Sequence, residues 1–389
     1  MCIFAAENVS TMATFIHQSE QWPHFTWDKE AVADKLAEVN KASGFLLGRL
    51  DALGFDTRLT ANAEMLSSDI INSSEIEGIS LNEQQVRSSI ARKLGIPSNT
   101  DLPSSHYVEG VVEMMLDAVS RYNEPLTHER LFGWHNCLFP TGMSGLSKID
   151  VAQYRTGEMK VVSGNYGREK VHYEAVAAND VQKEMDAFLD WFNSDTASPS
   201  YLKSATAHFW FVCIHPFDDG NGRIGRAIAD MALSQADGSS MRFFSMSRQI
   251  NKDKKSYYDV LEHVSRQSHA DITEWMMWYL DCMQRAIDAS DEVLSRILQK
   301  ASFWQRHALV ALSERQNRVL NLYLDGYEGK LTVKNWAKHS KVSVDTASRD
   351  IKDLVEKGVL EPQQGRVRDV YYGIRCDKDK LYIPYPSDS

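Results

Sequence analysis

Most of the chain carries a helical pattern. From Tyr201 to Ile214 (YLKSATAHFWFVCI), alanines and bulky residues recur at helical spacing in a weakly polar run, which predicts a buried helix. Pro216 ends it, because proline has no backbone N–H to donate and pushes the preceding residue out of helical geometry. Ile224, Ile228 and Met231 then recur at spacings of four and three, so a second helix starts near Asn221 and turns this stripe inward. Upstream, a polar helical stretch begins near Asn62 and stops at Gly78. Between these, Met159 to Tyr173 (MKVVSGNYGREKVHY) reads as a hairpin. Its strands lie around Lys160, Val161 and Val162 and around Lys170 to His172, joined through Gly164-Asn165-Tyr166-Gly167.

The pattern changes from about Phe303. Val319, Leu320 and Tyr323 predict one helix, Val333, Trp336 and Ala337 a short second, and Ala347, Ile351, Leu354 and Val355 a third that ends near Gly358. Gly365 to Ile374 reads as a β-ribbon. Three helices and a ribbon are the order of a winged helix-turn-helix, with Val344 to Lys357 in the recognition position. The expected organisation is mainly α. An upstream extension (1–11, with Met12 as the natural start) precedes a helical N-terminal domain (12–98). A helical core with a hairpin flap follows (99–290), then the winged helix-turn-helix domain (303–389). Gly95 to Ser105 is a polar connector, and Trp22, Phe25 and Trp27 pack rather than bind.

Composition narrows the class. Five scattered cysteines without CxxC spacing, in a chain with ten prolines and 43% hydrophobic residues, fit reduced thiols in an ordered cytoplasmic protein. No apolar run approaches the roughly 20 residues that span a bilayer. Residues 301–389 carry 15 Lys and Arg against 12 Asp and Glu, a net of +3 in a chain of net charge −10. Phosphate neutralisation supplies most non-specific DNA affinity, so DNA contact by this module would be weak. The alternative is docking of proteins, including a second copy of the chain.

The chemistry concentrates in His215 to Arg226, HPFDDGNGRIGR. Gly220 and Gly222 let an anion approach the backbone closely, and a loop feeding a helix start points N–H groups at that anion. Arg223 and Arg226, three apart, lean to one side and can grip outer phosphates. Asp219 is a hard oxygen ligand suited to magnesium, and His215 can remove a hydroxyl proton. Phe217 anchors the loop in the core. Singly these pieces are commonplace, since a His before Pro is commonly structural and Gly-Asn-Gly is commonly a turn. His215 and Asp219 could also be half of a transition-metal site, but the candidates nearest them, His208 and Cys213, belong to the apolar helix.

HPFDDGNGRIGR resembles the signature of the Fic family, HxFx(D/E)GNGRxxR, at every fixed position. The resemblance implies a Fic-type helical fold that transfers AMP from ATP, with Mg2+, to a Ser, Thr or Tyr hydroxyl of a target protein. It implies His215 as general base, Asp219 as metal ligand, Gly220, Asn221 and Gly222 as phosphate cradle, and Arg223 and Arg226 as clamps. Ser73, Glu77 and Gly78 match the family's inhibitory helix, (S/T)xxxE(G/N). On that likeness Glu77 pairs with Arg226 and takes the space of the ATP γ-phosphate. The hairpin, Lys160 to Val162 included, matches a flap that holds targets by strand addition. Self-modification is open to a chain with 15 tyrosines. Two alternatives stay open: a DNA-binding regulator with a nucleotide-sensing core, and an enzyme whose main reaction removes AMP.

Overall fold

The computed structural model describes residues 15–51, 55–96, 102–163, 170–194, 200–327, 329–364, 370–375 and 381–382. The upstream extension, the centre of the connector (97–101), the hairpin turn (164–169) and the start of the expected ribbon (365–369) lie outside them. The chain is mainly helical and divides into two compact units: Met1–Ala52 with Asn62–Asp288, and Leu53–Ala61 with Ala289–Ser389.

In the first unit the helices are α1 (Lys29–Asp51), α2 (Phe55–Ile76, of which the part from Asn62 belongs here), α3 (Glu83–Leu94), α4 (His106–Ser120) and α5 (His128–Leu138). The two-residue strands β1 (Met143–Ser144) and β2 (Ser147–Lys148) and the hairpin β3 (Lys160–Ser163) and β4 (Lys170–Glu174) follow. Then come α6 (Val181–Ser194), α7 (Ser200–Ile214), α8 (Asn221–Asp237), α9 (Met246–Lys252), α10 (Lys254–Ser265) and α11 (Thr273–Arg306). The unit boundary falls inside α11, between Asp288 and Ala289.

The buried helix expected over 201–214 is α7, and it packs along α8. Phe209, Phe211 and Phe217 are fully buried there, each contributing roughly 1.5–3 kcal/mol by burial. The helix from near Asn62 is longer than the polar pattern indicates, and α2 ends at Ile76, two residues before Gly78 at φ 78°. Trp22 and Phe25 pack edge-on against Trp210, so these two of the three N-terminal aromatics do pack against the core. Side-chain oxygens of Ser105 and Thr127 cap α4 and α5, which is why those helices begin after these residues.

In the second unit, α12 (Glu314–Leu324), α13 (Val333–Ser340) and α14 (Val344–Glu356) start at Ser313, Thr332 and Ser343, each accepting from the third residue on. A sheet of β5 (Leu360–Gln364), β6 (Val370–Arg375) and β7 (Leu381–Tyr382) follows in that order. The first strand thus precedes the stretch from which a ribbon was expected. Its sequence, LEPQQ, lacks alternation and holds Pro362, tolerated because β5 is an edge strand.

Candidate active site

Three elements meet at the loop between α7 and α8. His215 follows directly on α7 with φ +53°, a left-handed conformation that costs a non-glycine residue on the order of 1–3 kcal/mol. Its Nδ1 lies 3.2 Å from the carbonyl of Val212. A carbonyl only accepts, so Nδ1 carries the proton and Nε2 of the neutral ring is left as a base. Burial lowers the His215 pKa, with Val212, Glu77 and Asp219 pulling up against it and Arg155 pushing the same way as burial. At neutral pH the ring is therefore poised to accept a proton.

The loop is clasped from inside. Asn221 donates from Nδ2 to the carbonyl of Phe217 (2.7 Å) and accepts at Oδ1 from the Phe217 N–H (2.9 Å). His135 donates from Nε2 to the Asp219 carbonyl (3.1 Å), accepts at Nδ1 from Ala152 N–H (3.2 Å), and stacks on Phe217 at 4.3 Å. Burial drives its pKa down to about 4, consistent with a neutral ring serving both bonds. Gly220, at φ +86°, precedes α8, and no side chain caps that helix start.

Both arginines are buried. Arg223 donates to Tyr107 Oη (2.7 Å), lies 3.3 Å from Asp219 Oδ1 and sits over the Phe139 ring at 5.0 Å. Arg226 donates from Nε to Ser73 Oγ (2.8 Å) and from Nη2 to the Ser73 carbonyl (2.8 Å) and Glu77 Oε1 (2.7 Å). The structure thus brings Ser73 and Glu77 of the upstream segment, 149 to 153 residues away, onto the motif. The Glu77 carboxylate also lies against Gly222, where a Cβ would collide with Oε1. Gly78 acts through its backbone, reversing the chain after α2.

Two buried guanidinium nitrogens, Nε of Arg223 and Nη1 of Arg226, have no hydrogen-bond partner among the described residues. Unpaired buried donors next to an uncapped helix start suit a polyphosphate. Asp219 accepts from Gly220 N–H (2.5 Å) at Oδ1 and from Ser144 at Oδ2. It is one carboxylate, which suits magnesium because that ion completes its shell with waters and phosphate oxygens. His208, buried in α7, bonds Tyr257 at 2.8 Å through Nε2.

The hairpin pairs Lys160 with Glu174 and Val161 with Tyr173, then shifts register before Val162 pairs with Val171. Its second strand is held on α10: His172 meets Glu262 at 2.5 Å, and Arg266 donates to the Val171 carbonyl at 3.2 Å. Tyr173 donates to the Cys213 carbonyl at 2.9 Å. Sequence reasoning missed Tyr107, His135, Ser144 and Arg155, which meet the motif only after folding and share no spacing with it.

The fold is mainly helical, and the comparisons with known proteins agree with that. Residues 125–233 match the family model described as Fic/DOC family, and residues 15–96 match a domain of unknown function, DUF4172. The chain carries a Fic/DOC domain. It is 24% identical over 228 residues to a protein adenylyltransferase Fic of Nematostella vectensis, covering 57% of this chain and 47% of that protein. A protein of the same name from Culex quinquefasciatus is 26% identical over 237 residues, 59% of this chain and 42% of the other. The chain therefore spans less than half the length of these curated relatives. In fold it is similar to the crystal structure of a Fic family protein from Desulfovibrio desulfuricans G20. That similarity has TM-score 0.53 at 20% identity, over 91% of this chain and 98% of the other. Among the described residues no helix is long and apolar enough to cross a membrane.

Proposed function

We propose that the chain is a protein adenylyltransferase that its own Glu77 holds at low activity. The observation that carries this reading is the Glu77–Arg226 pair at 2.7 Å, set against Gly222, beside two buried guanidinium nitrogens, Arg223 Nε and Arg226 Nη1, that have no partner among the described residues. In the reaction, a target hydroxyl attacks the α-phosphorus of ATP in line, and the bond from that phosphorus to the bridging oxygen of pyrophosphate breaks. Nε2 of His215 takes the hydroxyl proton. The first-turn N–H groups after Gly220, together with Arg223 and Arg226, hold the phosphates, Arg226 once Glu77 has left it. Magnesium on Asp219 would supply charge neutralisation for the phosphates.

The open edge of β3, Lys160 to Ser163, is the place for a target segment, because Arg266 already occupies a carbonyl of β4. The second unit is read as a winged helix-turn-helix module that docks proteins. Lys352 on α14 and Lys357 at its C-terminal cap pair with Glu356 (4.0 Å) and Asp353 (2.7 Å), which reduces the charge available to DNA phosphates.

The test is a pair of labels in the Glu77→Gly chain with magnesium and a lysate. ATP labelled at the α-phosphate should mark a protein and ATP labelled at the γ-phosphate should not, and adding His215→Ala should remove the mark. Label from the γ-phosphate alone would overturn the reading in favour of phosphoryl transfer.

A further inference from the structure

Arg155 lies between the end of β2 and the start of β3 and is buried, with 2% of its surface exposed. Among the described residues no carboxylate pairs with it. Its guanidinium instead donates to carbonyls: Nε to His215 (2.8 Å), Nη1 to Gly157 (2.8 Å), and Nη2 to Val176 (2.5 Å) and Ile214 (3.4 Å). Its backbone N–H donates to the carbonyl of Pro216 at 2.9 Å. One side chain therefore grips three backbone segments. Gly157 leads into the hairpin and Val176 leaves it, so both legs of the flap are held where Ala175 N–H closes the base on the Met159 carbonyl at 3.0 Å. Ile214, His215 and Pro216 are consecutive, and the middle one has the left-handed backbone noted above.

A left-handed non-glycine residue persists only where its surroundings over-determine it. Here the carbonyls of His215 and of both its neighbours are bonded by Arg155, through side chain or backbone. A planar guanidinium with five fixed donors can do this, and a lysine ammonium on the same stem cannot.

We infer that Arg155 is a positioning residue: it fixes the base of the hairpin to the backbone of His215 and so sets where a docked hydroxyl meets the ring. The role rests on the adenylyltransferase reading for its consequence in catalysis, while the tether itself does not. The guanidinium charge also faces the ring, where Glu77 and Asp219 oppose it, and helps keep the imidazole neutral. Both legs of the flap and the His215 backbone move as one body through this contact.

The experiment compares the full-length Glu77→Gly chain with the same chain carrying Arg155→Lys. Without nucleotide, amide hydrogen exchange at His215, Phe217 and Ala175 should quicken together, by about tenfold or more, while amides within α8 stay within about twofold. Acceleration on one side only, or neither, overturns the tether. In AMP transfer, kcat should fall about 100-fold with KM for ATP within about threefold, since the phosphate-binding groups are untouched. A loss carried by KM for ATP, an unchanged kcat, or a Lys variant that no longer folds or binds ATP makes Arg155 a residue of the fold and overturns the proposal. A Glu77→Gly parent that transfers no AMP refutes the proposed reaction instead, and the exchange data still decide the tether.

Discussion

Nη2 of Arg226 lies 2.7 Å from Glu77 Oε1 and 2.8 Å from the carbonyl of Ser73, so the last turns of α2 and the start of α8 are joined at one guanidinium. The guanidinium is 2% exposed and the carboxylate 30%. A buried charge needs partners, and Glu77 and Ser73 supply them to Arg226. The same carboxylate rests on Gly222, in the loop proposed above to hold phosphates. On the proposed function, an incoming polyphosphate and Glu77 would compete for the same donors.

Ser73 contributes a hydroxyl and a carbonyl to this clamp, and the hydroxyl can be removed without touching the cradle. Hydrogen bonds to charged groups contribute about 1.5–3 kcal/mol, of which only the part absent from the nucleotide-bound state bears on activity. Ser73→Ala should raise AMP transfer above wild type by up to about tenfold, and by less than Glu77→Gly does. Initial rates of the two variants side by side check the order; a Ser73→Ala rate below wild type would count against the clamp.

In the proposed reaction the acid limit follows from His215. The base must be unprotonated, and burial lowers its pKa from the usual value of roughly 6.5. Lowering the pKa keeps the ring neutral to lower pH, so the acid midpoint of kcat/KM for the Glu77→Gly chain should lie below the roughly 6.5 of a free imidazole. An acid midpoint above the roughly 6.5 of a free imidazole would mean that another group sets the limit.

What was legible beforehand is what lies together in the chain. The twelve residues from His215 to Arg226 announce a loop and a helix start because glycine, proline and the Ile224-Ile228-Met231 stripe are local signals. Helix α7 and the hairpin strands were legible for the same reason. The clasp by His135 and the tether by Arg155 were not, because both bind backbone carbonyls, which any residue offers, at separations of up to 84 residues. Strand β5 was lost to Pro362, whose tolerance depends on an edge position that only pairing defines.

Helices α2 and α8 share a second contact. Asp69, buried on α2, accepts from Ser245 Oγ (2.6 Å) and Ser247 N–H (3.0 Å), and burial pushes its pKa up to about 6. Asp230 on α8 is buried beside it and held well above the carboxylate range by burial and by Asp69, against the pull of Arg242 and Arg226. The folded chain thus keeps a proton on Asp69 that the unfolded chain loses near pH ~3.9, so stability is present at low pH and is lost as pH rises from about 4 to about 6. Asp69→Asn keeps an acceptor for both serines and should be more stable than wild type at pH 7 by about 1–3 kcal/mol. Urea unfolding at pH 4.5 and pH 7 tests this, and an identical pH dependence in the two proteins would refute it.

Intact-mass measurement of AMP adducts over time bears most directly on the internal brake. Wild type, Glu77→Gly and Glu77→Gly with His215→Ala are incubated with ATP, magnesium and a lysate as target source. The account predicts adducts forming at least about tenfold faster with Glu77→Gly than with wild type, and none with the double variant. Equal rates for wild type and Glu77→Gly would contradict it.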